Sequence, residues 1–337
     1  MPPMSRKHLT KRQLARIQQQ QDAHTTNASD ASNLESPDAP TCRGLVLSRF
    51  GKQVDIEIRE GEHEGRVVRS YQRSNLEALV SGDEVVLQHD AALDNAVVVA
   101  MLPRSSLLQR PTKLGDLKPV AANINTMMIV IAPEPAPHYN LIDRYLVAAE
   151  TFGFRPLLLL NKCDLLKDGP VRDELETMLT LYGTLGYMTL RLSSKAGIGL
   201  DDLRTQLHDA TAILVGQSGV GKSALVNALL PGVDTLEGAL SAAEDKGRHT
   251  TTSARLFHLP EGGSLIDSPG IREFGLGHIE ARQVLEGFVE FRPWLGTCRF
   301  RDCSHESEVG CALREALANG RIDPRRMQSY ELIRNSL

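Results

Sequence analysis

The chain has 337 residues, of which 41% are hydrophobic, 24% charged and 4% aromatic, a composition typical of a globular protein with more than one domain. This composition excludes a chain that is disordered throughout, and no window contains the roughly 18 uncharged apolar residues that a membrane-spanning helix needs. The formal net charge of −4 argues, taken alone, against a nucleic-acid partner, because phosphate binding requires a basic surface.

The first 40 residues divide into a basic half and an acidic half. Residues 1–20 contain five basic and no acidic residues, whereas residues 21–40 contain four acidic residues among Thr, Ser, Asn, Ala and Pro. This composition predicts a disordered tail over residues 1–40. Because the first half also lacks the apolar core of a signal peptide, we expect the protein in the cytoplasm.

Short alternating runs typical of β-strands follow between residues 41 and 110. The runs are LVLSRF, QVDIEI, GRVVRS, EVVLQH and AVVVAML, with glycines and polar turn residues between them. Five short strands in so short a stretch predict a small closed β-barrel of the OB-fold type, although an SH3-like barrel would give a similar pattern. The segment RPTKLGDLKP, at 110–119, is predicted to be a linker.

The remainder of the chain alternates apolar and amphipathic segments. Over residues 111–277, strand candidates such as INTMMIVIA, PLLLL and TAILV alternate with helical stretches such as LIDRYLVAAETFG. This alternation predicts an α/β domain with a parallel sheet that helices cover on both faces. Residues 278–337 contain a helical segment near 278–290, a group of cysteines and an arginine-rich tail, so we expect an α-helical module there.

A glycine-rich segment follows the strand candidate TAILV and fits the P-loop pattern GxxxxGKS. In this motif backbone N–H groups surround the β-phosphate at a helix N-terminus, the lysine neutralises phosphate oxygens, and the serine binds Mg²⁺. The alternative is an ordinary glycine-rich turn, but every fixed position of the motif is present. The predicted phosphate site consists of Gly216, Gln217, Ser218, Gly219, Val220, Gly221, Lys222 and Ser223.

A second motif, NKCD, stands at the end of the strand candidate PLLLL and predicts recognition of guanine. Asp164 can accept two parallel hydrogen bonds from the guanine ring, whereas adenine offers no such pair. Asn161 is expected to hold the loop, and the aliphatic part of Lys162 to cover the base. Another segment, which follows a different strand candidate, is expected to support the base from the other side. It consists of Ser193, Ser194 and Lys195. A solvated loop is the alternative for NKCD.

The segment DSPG, which begins at Asp267 and ends at Gly270, suits a carboxylate that holds Mg²⁺ through water and a glycine N–H near the γ-phosphate. The polar segment GALSAAEDKGRHTTTSARL before it has the character of a switch loop. One of Thr250, Thr251 and Thr252 would complete the Mg²⁺ shell with Ser223, and the sequence does not tell which one. The alternative for the three threonines is a plain strand edge.

The order of these motifs predicts a circular permutation. Ordinary GTPases carry the P-loop, the switch threonine, DxxG, NKxD and SxK in this order. Here NKCD begins at 161 and SSK at 193, before the P-loop at 216 and DSPG at 267. Since the ends of a compact domain commonly lie close together at its surface, moving the termini can preserve the site.

A group of cysteines near the C-terminus predicts a metal site. Cys298, Cys303, His305 and Cys311 offer three thiolates and one imidazole, a set suited to one structural Zn²⁺ in tetrahedral geometry. The protein would fill all four positions, which leaves no open position for catalysis. Three buried free cysteines beside a chance histidine are the alternative.

Taken together, the permuted order, the barrel before it and the Cys/His cluster after it resemble the RsgA family of ribosome-biogenesis GTPases, also called YjeQ. The resemblance covers the chain from about residue 43 to its end and includes GQSGVGKS, GRHTTT, DSPG and the cysteine pattern. It implies an OB-fold at 41–110, a permuted GTPase domain at 111–277 and a zinc module at 278–337. It also implies binding to the small ribosomal subunit and its rRNA in late maturation, with GTP hydrolysis stimulated by that subunit.

One position departs from ordinary GTPases. Ile271 stands where Ras-like enzymes carry a glutamine that orients the attacking water, so intrinsic hydrolysis is expected to be slow. His249, next to the switch threonines, is the candidate catalytic residue, and a solvated loop histidine is its alternative reading. We expect a monomer that uses Mg²⁺ with GTP and has no membrane partner.

Other functions fit parts of this pattern. A permuted GTPase that acts on another ribonucleoprotein would share the nucleotide motifs, although the barrel and the cysteine cluster argue against it. An RNA-binding module with GTP as a structural ligand would share all the motifs without turnover. An ATP-dependent kinase is disfavoured by NKCD.

The net charge of −4 is an average over unlike parts. Residues 1–20 have a net charge of +5, and residues 21–40 have a net charge of −4. Residues 41–120 contain 11 basic and 11 acidic residues, and residues 278–337 contain nine of each. Residues 121–277 contain 13 basic and 18 acidic residues. The acidity therefore belongs mainly to the GTPase region and the tail. The basic residues expected to meet phosphate lie in the N-terminal tail, in the barrel loops, around the cysteines and at the C-terminus, where they are Arg321, Arg325, Arg326 and Arg334.

Overall fold

The computed structural model describes residues 40–72, 76–89, 96–111, 117–232, 254–267 and 279–337. Apart from Pro40, the tail predicted over residues 1–40 lies outside the described residues. The chain divides into two compact units. Of the described residues, the first unit contains those from 40 to 107, with 119–123 and 254–256, and the second contains those at 108–111, 117–118, 124–232, 257–267 and 279–337.

The first unit contains a closed five-stranded barrel. Its strands are β1 (Thr41–Phe50), β2 (Gln53–Ile58), β3 (Val67–Gln72), β4 (Glu84–His89) and β5 (Ala96–Met101). The pairs β1–β2, β2–β3, β4–β5 and β1–β4 are antiparallel, and a parallel β3–β5 pair closes the barrel. This order is that of an OB-fold, so the barrel prediction is confirmed.

Alternation of side chains explains why these runs close into a barrel. In β3 the pattern is exposed, buried, exposed, buried, so Val68 and Ser70 point inward while Val67 and Tyr71 point to solvent. The barrel core consists of aliphatic side chains, including Val54, Ile56, Leu87 and Val98. Gly44 allows β1 to lie close to this core, because a Cβ there would be 2.4 Å from Ile56 Cγ2.

The second unit is built on a parallel sheet, as the α/β pattern predicts. Its strands are β8 (Thr126–Ile131), β9 (Arg155–Leu160), β10 (Met188–Arg191), β11 (Thr211–Val215) and β13 (Ser264–Asp267). Their order is β10-β9-β8-β11-β13, with every pair parallel. All six residues of β8, the central strand, are buried, which is why it appears in the sequence as a continuous apolar run.

Four helices accompany the sheet in the described residues: α1 (Tyr139–Phe152), α2 (Pro170–Thr184), α3 (Leu200–Leu207) and α4 (Lys222–Leu229). Three further strands are β6 (Leu107–Pro111), β7 (Leu117–Ala122) and β12 (Arg255–His258). Because β6 and β7 form a two-stranded sheet, part of the segment predicted as a linker at 110–119 is strand. None of the helices in the described ranges combines the length and apolar character needed to cross a bilayer.

The C-terminal residues of the second unit form a helical module, as predicted. It contains α5 (Ala281–Gly287), a 3₁₀ segment (Val289–Trp294), α6 (Ala312–Ala318) and α7 (Pro324–Arg334). The buried rings of Phe288 and Phe291 stack with centroids 4.9 Å apart, and Tyr330 meets both edge-on at 5.7 and 5.5 Å. Both α5 and α7 pack against α1.

A buried ionic cluster joins this module to α1. Arg326 on α7 is fully buried; it contacts Asp143 on α1 and donates to Glu290 at 2.6 and 3.1 Å. Tyr182 donates to Asp143 at 2.6 Å. Burial by itself lowers the pKa of Arg326, but Asp143 and Glu290 more than offset this, so the pKa lies above its ordinary value and the guanidinium stays charged.

The structure contradicts part of the charge prediction for the C-terminal arginines. Arg326 is buried in the ionic cluster and is not available to a phosphate. Arg325 is paired with Asp323 at 2.8 Å, and Arg334 with Glu306 at 2.8 Å. The prediction was therefore wrong for Arg326, because the sequence gives the charge of a side chain and not its burial.

Replacing Arg326 with leucine should destabilise the second unit by about 3–5 kcal/mol, since two buried acidic groups would lose their partner. Urea unfolding followed by circular dichroism measures this change. Arg282→Ala on α5 is the control, because Arg282 is 85% exposed and its pair with Glu286 lies at the surface. Equal unfolding midpoints for Arg326→Leu and the wild-type chain would contradict the assignment of Arg326 to a buried ionic cluster that stabilises the fold.

Candidate nucleotide site and metal centre

The predicted P-loop connects β11 to α4. The strand ends at Val215, and the helix begins at Lys222, with the glycine-rich turn between them. A Cβ on Gly216 would lie 2.3 Å from the Val130 carbonyl oxygen, and one on Gly221 would lie 2.4 Å from Asn161 Nδ2. Both glycines have positive φ angles, 140° and 95°, so only glycine lets the backbone turn this tightly against its neighbours.

Lys222 lies across this turn. Its Nζ donates to the carbonyl oxygens of Gly216 at 2.6 Å and of Gln217 at 2.5 Å. The ammonium is therefore held on the inner side of the loop, next to the N-terminus of α4. A cation and helix N–H groups at one point make an electrostatic site for an anionic polyphosphate.

Asn161 connects the NKCD segment to two other predicted motifs. Its side chain is buried, and Nδ2 donates to the Val220 carbonyl oxygen at 2.9 Å. Its Oδ1 accepts from the Ser194 N–H at 3.1 Å and from the Ser194 hydroxyl at 2.8 Å. One amide thus joins the NKCD, SSK and P-loop segments, which the sequence places at three separate points.

Lys162 reaches across the same cluster of loops. Its backbone has a φ of 59°, and its Nζ donates to the Gly219 carbonyl oxygen at 2.6 Å and to the Glu134 carbonyl oxygen at 2.9 Å. The aliphatic part of the side chain therefore spans from NKCD to the P-loop. Sequence reasoning missed Glu134, because it contributes a backbone carbonyl for which the sequence carries no signal.

The remaining residues predicted to bind guanine lie at the carboxyl ends of β9 and β10, which are neighbouring parallel strands. Asp164 is exposed in a 3₁₀ turn, and Lys195 is exposed after β10. Ser193 is buried, and its hydroxyl accepts from the Ala196 N–H at 3.0 Å. The loop cluster therefore presents an accessible carboxylate beside the phosphate loop.

The residues predicted to bind Mg²⁺ are only partly described. Ser223 is exposed in the first turn of α4. Asp267 ends β13, whose residue Ile266 is in register with Ile213 of β11, so its backbone lies at the P-loop edge of the sheet. The predictions for His249, Thr250, Thr251, Thr252 and Gly270 lie outside the described residues.

The predicted metal ligands meet in the C-terminal module. One ligand atom from each of Cys298, Cys303, His305 and Cys311 lies within 4.8 Å of all the others. His305 Nδ1 is 3.6 Å from Cys298 Sγ and 3.5 Å from Cys311 Sγ. Tetrahedral angles with ordinary zinc–sulfur and zinc–nitrogen bonds place such atoms about 3.5 Å apart, so the cluster can hold a metal ion at its centre.

Without a metal, desolvation shifts the pKa values of two of these groups. Desolvation raises the pKa of the Cys303 thiol to about 12, so the anionic thiolate needs a cation beside it. Desolvation lowers the pKa of His305, which keeps the imidazole neutral and able to donate a nitrogen lone pair. This chemistry fits a soft divalent ion bound by three sulfur atoms and one nitrogen.

Surrounding residues fix the loop that carries the candidate ligands, and sequence reasoning missed them. Glu308 accepts from the N–H groups of Ser304 at 2.7 Å, Glu306 at 2.9 Å and Ser307 at 3.1 Å. Hydrogen bonds, chiefly from the Ser304 hydroxyl, lower the pKa of Glu308 to about 2. Arg314 donates to the His305 carbonyl oxygen at 3.1 Å, which braces that ligand from the backbone side.

Comparison with known sequences agrees with this arrangement. The model of a family described as RsgA GTPase matches residues 101–277. The small ribosomal subunit biogenesis GTPase RsgA of Azotobacter vinelandii is 52% identical over 340 residues, which cover 99% of this chain and 98% of the relative. The protein of the same name from Ectopseudomonas mendocina is 53% identical with the same coverage.

Solved structures share the fold. YjeQ from Thermotoga maritima has a TM-score of 0.70 and 29% identity, and the match covers 88% of this chain and 98% of that chain. YloQ, a circularly permuted GTPase, has a TM-score of 0.71 and 25% identity, with 91% and 97% coverage. The permutation predicted from the motif order is confirmed. Motif order, site geometry and similarity along the whole length agree, and the chain belongs to the RsgA GTPase family.

Proposed function

We propose that this protein is a GTPase that binds the small ribosomal subunit and acts in its late maturation, hydrolysing GTP to GDP and phosphate with turnover stimulated by that subunit. One observation carries the proposal: the Asn161 side chain joins the NKCD, SSK and P-loop segments into one site. The relatives named above, similar along the whole chain, support the ribosomal partner.

Within this site, the backbone of residues 216–221 and Lys222 would hold the β- and γ-phosphates of GTP. Asp164 would read guanine, and Lys162 would cover the base with its aliphatic chain. Ser223, Asp267 and one of the three switch threonines at 250–252 would hold Mg²⁺, which neutralises charge developing on the phosphates during hydrolysis. Ser193, Ser194 and Lys195 would support the base from the SSK side.

In the C-terminal module, the three cysteines and His305 would hold one structural Zn²⁺. The ion would fix the conformation of a segment that lacks regular secondary structure at Cys298 and Cys303. The 299–301 segment beside these ligands presents Arg299 and Arg301, both exposed, toward a partner. A module fixed in this way would offer a rigid surface to rRNA.

The domain division follows from the same reasoning. We assign residues 1–40 to a tail, 41–110 to the barrel, 111–277 to the GTPase domain and 278–337 to the zinc module. The family match ends at 277, which supports the last boundary. A monomer in the cytoplasm is the state that we propose, since ribosome assembly factors act where the subunits are made.

A turnover assay with small subunits, large subunits and no subunits tests the function. We expect stimulation of GTP hydrolysis by small subunits alone. Stimulation by large subunits alone would indicate that another ribonucleoprotein is the target. GTP binding without turnover would indicate an RNA-binding module in which GTP is a structural ligand. Either result would refute the proposal, and competition of labelled GTP by excess ATP tests the kinase alternative.

His249 has a separate expected result within this proposal. His249→Ala should lower the turnover that small subunits stimulate by about 100-fold, because the imidazole would orient the attacking water in the complex with the subunit. GTP binding, measured by titration calorimetry, should stay within a few-fold of the wild-type value. Unchanged stimulated turnover in a variant that still binds GTP would remove His249 from the mechanism.

A further inference from the structure

One buried tyrosine of α1 lies against the P-loop. Tyr145 is 3% exposed and lines a small cavity together with Gly216 and Gln217, the first two residues of the P-loop. The cavity has a volume of about 10 Å³, which is at the lower limit of the space that one water molecule needs. The space between the helix and this turn is therefore almost filled by protein atoms.

The hydroxyl of Tyr145 is bonded to the backbone of the same turn. The Gly216 N–H donates a hydrogen bond to the hydroxyl oxygen. Burial raises the pKa of Tyr145, and this hydrogen bond lowers it by less, so the phenol is neutral at physiological pH. A side chain of α1 thus contacts the first glycine of the P-loop through a polar atom and not only through its ring.

Gly216 connects this tyrosine to the lysine of the P-loop. Its N–H donates to Tyr145, and its carbonyl oxygen accepts from Lys222 Nζ at 2.6 Å. The φ angle of Gly216 is 140°, and a Cβ there would lie 2.3 Å from the Val130 carbonyl oxygen. A backbone conformation of this kind persists only where the surrounding contacts maintain it. The Tyr145 hydroxyl provides one of these contacts.

The helix that carries Tyr145 is itself fixed on another face. Asp143 stands two residues earlier, about 200° around the helix axis, and contacts Arg326 in the buried ionic cluster. Asn140 donates to the Ser329 carbonyl oxygen on α7 at 3.4 Å. The helix is therefore held by α7 on one side while it presents Tyr145 to the P-loop. A hydroxyl on such a support can define the position of the group that it bonds.

We propose that Tyr145 is a positioning residue for GTP hydrolysis, whose hydroxyl holds Gly216, and through it Lys222, in the conformation that accepts the phosphates. Without this hydroxyl, the empty turn would also adopt conformations that do not bind nucleotide. The apparent affinity then falls in proportion to the fraction of chains that are competent to bind. Bound phosphates would restore the conformation, so the chemical step changes little. The inference rests on the P-loop part of the proposed function.

The variant Tyr145→Phe tests this role, because it keeps the ring and removes only the hydroxyl. Titration with GDP that carries a fluorescent N-methylanthraniloyl group should show a Kd about 3- to 10-fold above the wild-type value, as expected for the loss of one hydrogen bond. The KM for GTP should rise by the same factor, and kcat should stay within about 2-fold. A merely structural role would lower the melting temperature and leave both Kd and KM unchanged.

Tyr182→Phe is the matched control. It also removes a buried phenol hydroxyl with a hydrogen bond, here to Asp143 at 2.6 Å, but Tyr182 lies on α2 and its bond is to the ionic cluster. Its Kd for the labelled GDP should stay within about 2-fold of wild type, on the order expected for a residue outside the site.

Three results would overturn the role of Tyr145: an unchanged Kd in Tyr145→Phe, an equal rise of Kd in Tyr182→Phe, or a lower kcat with an unchanged KM. The second of these would show a general loosening of α1. A wild-type chain that bound no guanine nucleotide would refute the proposed function together with this inference. A wild-type chain that binds the labelled GDP, with the same Kd in Tyr145→Phe, would remove the role of Tyr145 alone.

Discussion

Replacing Lys222 with alanine should lower GTP hydrolysis stimulated by small subunits by about 1,000-fold. The ammonium is held on the inner side of the P-loop by the Gly216 and Gln217 carbonyl oxygens, 2.6 and 2.5 Å away. In that position it would neutralise the charge that grows on the transferred phosphoryl group, a contribution that water cannot replace inside the loop. Single-turnover measurements with saturating GTP separate this effect from weaker nucleotide binding.

Lys167→Ala is the matched control for this experiment. Lys167 is exposed shortly after the NKCD segment, so its loss removes the same charge from the same surface without touching the P-loop. Turnover of Lys167→Ala should stay within 2-fold of wild type, on the order expected for an exposed residue. If Lys222→Ala retained wild-type turnover with an unchanged melting temperature, the assignment of the P-loop as the catalytic site would be wrong.

Removal of the metal should unfold the C-terminal module locally. The four ligand atoms lie within 4.8 Å of one another, and zinc bound by such a set contributes about 10–16 kcal/mol to the folding of a small module. Native mass spectrometry should show one zinc per chain in the wild-type protein and none in Cys303→Ser. The variant should also lose the ordered structure around residues 298–311, measured as faster amide hydrogen exchange there.

The control for zinc removal uses another thiol of the same chain. Cys42 is buried in the barrel, far along the sequence from the cluster, and Cys42→Ala should keep one zinc per chain. Hydrogen exchange in the C-terminal module should be the same in this control as in the wild-type protein. A wild-type chain purified without zinc, and with slow exchange across residues 298–311, would show that the cluster folds without a metal.

The P-loop and the contacts of Lys162 differ in how far the sequence could predict them. The P-loop could be identified because its function depends on local spacing, with glycines at 216 and 221 that the backbone conformation requires. The same holds for the cysteine cluster, where the four candidate ligands lie within one short segment. The contacts of Lys162 with the carbonyl oxygens of Glu134 and Gly219 could not be predicted, because any residue offers such a carbonyl.

The sequence by itself determined the order of the motifs, the permutation, the strands of the barrel and the four candidate metal ligands, since each depends on residue type and spacing along the chain. Only the tertiary structure decided which distant residues meet. Asn161 bonds to Val220, 59 residues away, because β9 and β11 flank the same central strand. Arg326 contacts Asp143, 183 residues away, because α7 packs on α1. An arginine has the same charge whether it binds a phosphate or is buried against two carboxylates. Only the packing of the helices determines which of these environments its side chain occupies.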